Sequence, residues 1–121
     1  YLKLKEMKEF ALIFRNNTTN EAKLSPDDIT SLTTQWQEWM GGIAGQGKLA
    51  NPGARLGFDG RAVKPAKAVT NGPYAEISEV LRGLIIVNAE SIDEATEIAK
   101  GCPILNIGGH VEVRDIIQMN G

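Results

Sequence analysis

His110, Glu112 and Arg114 stand at alternate positions of one short segment. In an extended chain, residues two apart share a face, so these three point one way and Val111 and Val113 the other. An imidazole exchanges a proton near neutral pH, a carboxylate can assist it, and a guanidinium holds an anion. If the valine face packs inward, the trio reads as an acid–base and anion-binding group, with His110 and Glu112 as catalytic candidates and Arg114 as a ligand anchor. The favoured alternative is a solvated edge strand, or an inter-subunit salt bridge between Glu112 and Arg114. Arg15, at the end of the first apolar segment, is a second candidate anchor. Glu76 and Glu79 lie one helical turn apart if residues 74–81 coil. Such a pair could hold a cation or move protons. Its alternatives are to cap the turn before it or to pair with Arg82.

The composition narrows the chemistry. A single histidine removes most metal and triad schemes, and a single cysteine removes an internal disulfide and any cysteine-based zinc site. No phosphate-loop or nucleophile-elbow spacing occurs. Neither a metal nor a cofactor is therefore expected. Cys102, between the end of an expected helix and Pro103, is expected to be a buried packing residue. The net charge of −2 with scattered Lys and Arg gives no footprint for nucleic acid or for a membrane surface. No apolar run approaches the roughly 20 residues of a membrane span. No basic start leads into an apolar stretch, so a cytoplasmic location is expected.

The elements that must position these residues are marked by their patterning. Residues 7–15 form a strand apolar on both parities: Phe10, Leu12 and Phe14 on one, Met7, Ala11 and Ile13 on the other. Residues 16–23 read as a polar loop. Ser25-Pro26-Asp27-Asp28 starts a helix, and Ile29, Leu32, Trp36, Trp39 and Ile43 form its apolar stripe. Gly41, Gly42, Gly45 and Gly47 should end it. Asp59-Gly60 reads as a hairpin turn between short strands near 55–58 and 61–63, with an extended piece at 68–70. Residues 83–89 are a second strand apolar on both parities. Ser91 to Glu94 is a capping box, opening a helix that turns Ile92, Ala95, Ile98 and Ala99 inward and ends near Gly101. Gly108-Gly109 leads into a last strand over 110–117.

A chain of 121 residues is the size of one domain, so 1–121 is read as a single unit. The order is that of a ferredoxin-like α+β domain, an antiparallel sheet with two helices on one face. Two helices cover one face, yet both central strands are apolar on two. The bare face would exceed what monomers carry, and a second copy of the chain is expected to cover it.

Three segments carry a resemblance. Asn71-Gly72-Pro73-Tyr74-Ala75-Glu76, with Glu79 following, resembles the Asp-Gly-Pro-Phe-Ala-Glu signature of the YCII-related proteins, the DGPF family. Arg82-Gly83-Leu84 stands where that family usually has Gly-Gly and an aromatic, and leads to Ser91-Ile92-Asp93-Glu94-Ala95. Gly108-Gly109-His110-Val111-Glu112-Val113-Arg114 resembles its terminal segment. The resemblance implies a dimeric α+β barrel whose paired sheets enclose a cavity. It adds Glu76 to the catalytic candidates, and Asn71 and Tyr74 to the ligand-binding ones. Asn71 replaces the family's Asp and cannot act as a base near neutral pH. The His–Asp pair proposed for one branch is not carried over, since residues 14–23 hold no histidine.

Two functions follow, beside the plain alternative of a structural dimer with no pocket. One is a cofactor-independent protein that binds a small polar metabolite in the dimer cavity, with or without acid–base chemistry; the resemblance implies relatives that isomerise or dehalogenate lactone-type compounds. The other is a non-catalytic regulatory or protein-interaction module, as the family's association with alternative sigma factors implies.

Overall fold

The computed structural model describes residues 6–73 and 79–119. Strand β1 (Lys8–Asn16) alternates strictly, with Phe10, Leu12, Phe14 and Asn16 buried and the residues between them half-buried. Its antiparallel neighbours are β5 (Val80–Ala89) and β6 (His110–Asp115), and β2 (Leu49–Arg55) adds to the far side of β5. The sheet order is β2-β5-β1-β6, compatible with the ferredoxin-like arrangement. Strand β5 repeats the pattern of β1, burying Ile85, Val87 and Ala89.

That buried face packs on two helices. Helix α2 (Pro26–Gly45) begins with a reciprocal cap. The Ser25 hydroxyl accepts from the Asp28 amide at 3.1 Å, and the Asp28 carboxylate accepts from the Ser25 amide at 2.9 Å. Gly41 and Gly42 lie inside the helix, which ends at Gly45. Trp36 and Trp39 meet Phe14 edge-on at 5.0 and 6.0 Å, so the aromatic stripe binds helix to sheet. The stripe reaches solvent at its start, where Ile29 is 52% exposed. Helix α3 (Ile92–Ala99) is capped by Ser91 and buries Ala95 and Ala99. Trp39 ties it to α2 by donating from Nε1 to the Ile98 carbonyl at 3.1 Å. Ile92, expected inward, is exposed: in the first turn of α3 it lies past the end of the packed face. Cys102 is buried as expected, and burial pushes its thiol up to about 12.

Two local expectations are corrected. The polar stretch 16–23 contains a short helix, α1 (Thr18–Ala22), because the Asn17 side chain accepts from the Asn20 amide at 2.7 Å and starts a turn. The Asp59-Gly60 turn does not join paired strands. Strand β3 (Arg61–Val63) pairs with β4 (Val69–Asn71), and the turn between them runs through Pro65–Lys67. The residues before Asp59 instead follow β2, which pairs with β5 through two register shifts. At one of them Gly53 has φ +64°, and a Cβ there would collide with the Leu84 carbonyl oxygen, so β2 bends where only glycine fits.

The second face of the sheet is the half-buried one. Ala11 stands opposite Ile86 and Ile13 opposite Leu84, forming an apolar block across the two central strands.

Candidate functional site

Residues that carry charge gather where β1 ends and β6 begins. Asn16, fully buried at the end of β1, fixes this corner. Its side-chain oxygen accepts from the Asn17 amide and from Asn20 Nδ2, both at 2.9 Å, and its Nδ2 donates to the Ile107 carbonyl at 3.4 Å. Asn20 Nδ2 also reaches the Gly108 carbonyl at 3.3 Å. A buried amide is stable only when so satisfied, and here the bonds hold the turn before β6 against β1. Gly109 completes the approach: a Cβ on it would lie 2.8 Å from the Arg15 carbonyl oxygen.

From that turn β6 runs antiparallel to β1, with His110 opposite Arg15, Glu112 opposite Ile13 and Arg114 opposite Ala11. Val111 and Val113 pack on the core, which turns His110, Glu112 and Arg114 to the open face, as the alternation predicts. Glu112 lies between two guanidinium groups, with Arg15 Nε at 3.5 Å and Arg114 Nη1 at 3.3 Å. Pairs this long and this exposed contribute about 0–1 kcal/mol each, so they orient charge rather than hold the fold.

The carboxylate on His110 is Glu79. Its Oε1 lies 2.5 Å from His110 Nδ1. Glu79 stands one residue before β5 and reaches across the end of β1, which separates β5 from β6. The two ends of the contact differ in exposure: the His110 side chain is 67% exposed and that of Glu79 only 16%. A carboxylate on Nδ1 fixes the orientation of the ring and leaves Nε2 as its second polar atom.

The start of β5, and with it Glu79, is held by Arg82. Its guanidinium makes a two-point bond to Glu21 of α1, at 2.7 and 2.8 Å, donates to the Leu56 carbonyl and lies 3.9 Å over the Phe58 ring. Among the described residues, then, the carboxylate partner of Arg82 is Glu21 of α1 and not Glu79, which is on His110. The strand pairing slips between Phe14 and Arg15, so that Arg15 faces Leu81 and Arg82 is free to turn toward α1.

The structure thus brings together His110, Glu112, Arg114 and Arg15 from the sequence-based candidates. Asn71 ends β4 in the separate β3–β4 hairpin, opposite Arg61 and outside this group. Tyr74 and Glu76 lie outside the described residues. From sequence Glu79 was read only as half of a Glu76–Glu79 pair, not as the partner of His110. Its signal was its place just before a strand apolar on both faces, at the sheet end where β6 begins. Among the described residues no group of three or more His, Cys, Asp or Glu is placed to hold a metal ion. No helix among them is long and apolar enough to cross a membrane.

No curated protein matches the chain. A family model described as the YCII-related domain matches residues 10–120, nearly the whole sequence. That match takes in both central strands, the two packed helices and the whole of the charged corner, and the chain belongs to the YCII-related family.

Proposed function

We propose that this YCII-related protein binds a small anionic metabolite on the open face of its sheet, beneath a second copy of the chain, and exchanges a proton with it through His110. The observation that carries this reading is the contact between a largely buried carboxylate and an exposed imidazole at 2.5 Å. A group buried to that degree and aimed at one ring nitrogen makes the ring a directed proton carrier. Arg114, 63% exposed, has guanidinium nitrogens open to an anion beyond its long contact with Glu112. Arg15 adds charge on the neighbouring strand. No cofactor enters this reading.

A non-catalytic binding module is the second reading, and the exposure of His110 favours it, since proton transfer gains most from a site closed to water. The second copy is what would close it.

A metabolite thermal-shift screen tests the proposal on wild type and on His110→Ala, Arg114→Ala and Glu79→Gln. Hits are expected to stabilise wild type and to be lost or weakened in Arg114→Ala. A hit that survives Glu79→Gln and His110→Ala in binding but is turned over only by wild type assigns the chemistry to the pair. If every hit survives all three substitutions, the site lies elsewhere.

A further inference from the structure

The helix side of the sheet holds a second feature, independent of the open face. Between α2 and the sheet, at its β2 edge, lies a cavity of about 290 Å³. Its walls are apolar: Leu32, Trp36 and Met40 from α2, Ile85 from β5, and Ile104 and Ile107 from the turn before β6. The packing explains the gap. The stripe of α2 is already reaching solvent at Ile29, and the bend at Gly53 gives this edge only Pro52 and Ala54 to fill it. The space is half open to solvent, and its size is just short of the range of small-molecule pockets, roughly 300–1,000 Å³. At about 30 Å³ per water-sized unit it takes roughly ten non-hydrogen atoms. That is too little for a helix or strand of a partner.

The charges at its rim are unequal. Arg82 and Glu21 both line the cavity, but they neutralise one another at 2.7 and 2.8 Å. Arg55, which also lines it, is exposed and has no carboxylate partner among the described residues. The uncompensated charge is positive and stands at the end of an apolar chamber. We propose that this cavity binds a small amphipathic carboxylate, its apolar body against Trp36, Met40 and Ile104 and its anionic group on Arg55. The reading does not rest on His110 or on a second copy of the chain.

Octanoate, with ten non-hydrogen atoms, is the probe, and octanol and octylamine are its neutral and cationic counterparts. Trp36 lines the cavity and Trp39 does not, so Trp39→Phe leaves one indole that reports occupancy by fluorescence. Calorimetry on wild type gives the same constants without that substitution. Saturable binding of octanoate is expected, about tenfold tighter than octanol and tighter still than octylamine. Arg55→Ala, on an exposed edge strand, is expected to make octanoate and octanol bind alike. Leu32→Trp, on the α2 wall, is expected to fill the chamber and abolish both, as read by calorimetry. Absence of saturable binding by either method overturns the site. Equal binding of octanoate and octanol to wild type, or octanoate binding unchanged in both variants, overturns the assignment of Arg55 and Leu32 to it.

Discussion

At the scale of single residues, the corner beneath His110 depends on how closely β1 and the turn before β6 approach. Gly109 is buried and a Cβ there would stand 2.8 Å from the Arg15 carbonyl oxygen and 3.0 Å from that of Ile104. Backbone on two sides cannot yield as a side chain would. Gly109→Ala is expected to destabilise the protein by about 1–3 kcal/mol. Gly41, exposed inside α2, has nothing within 4 Å of its would-be Cβ. Gly41→Ala is expected to stabilise by about 0.5–1 kcal/mol through helix propensity. Urea unfolding of the two variants checks the argument, and shifts of the same sign would refute it. Residue-level facts of this kind were unevenly legible in the sequence. The common face of His110, Glu112 and Arg114 follows from strand periodicity alone. The partner of His110 does not, because the contact to Glu79 crosses an intervening strand and depends on a pairing slip at Phe14 and Arg15 that no local pattern announces. For the same reason Arg82 could not be matched to Glu21, which lies in a stretch read as loop.

At the scale of elements, legibility followed how local the determining interaction is. The caps at Ser25 and Ser91 act within one turn and were read directly, but the capping box expected at Ser91 is only half made, since the Glu94 carboxylate pairs with Lys48 at 3.2 Å. The β3–β4 hairpin was misplaced because Asp59-Gly60 supplies turn chemistry without the pairing that makes a hairpin. The α2 cap has a pH signature. Hydrogen bonds from the Ser25 amide, and then from its hydroxyl, hold the Asp28 carboxyl below its ordinary 3.8. A carboxyl lowered in the folded state contributes stability above the unfolded value, and that contribution is lost as pH falls through the folded one. Asp28→Asn is therefore expected to lower the melting temperature at neutral pH, with the gap to wild type closing as pH drops below about 4. Ser25→Ala, which removes the other half of the cap, is expected to cost about 0.5–2 kcal/mol. Thermal unfolding followed by circular dichroism across that range is the measurement. A gap for Asp28→Asn that is constant with pH would show that its charge is not what holds the cap.

At the scale of the molecule, the question is what lies on the open face of the sheet. The double apolarity of β1 and β5 is the reason the sequence demanded a second layer. The helices bury Phe10, Leu12, Phe14, Ile85 and Val87, and leave Ala11, Ile13, Leu84 and Ile86 as a half-buried block. That block adjoins β6, where Glu112 lies opposite Ile13 and Arg114 opposite Ala11, so an apolar centre is flanked by charge. An apolar centre with a charged margin is how a self-complementary interface is built, and two copies related by a two-fold axis would each supply one. Because Glu112 already sits between Arg15 and Arg114, the margin carries little net charge to oppose such pairing. Wild type is expected to sediment as a dimer at micromolar concentration, and Ile13→Glu combined with Ile86→Glu as a monomer. The variant should keep its far-ultraviolet circular dichroism, since both positions belong to the half-buried face and not to the helix-packed core. Loss of that spectrum would mean that the face is closed within one chain. A wild type that sediments as a monomer would leave His110 and Glu79 at an open edge, where Glu79 serves to fix the corner of the sheet and a bound metabolite has no wall to hold it.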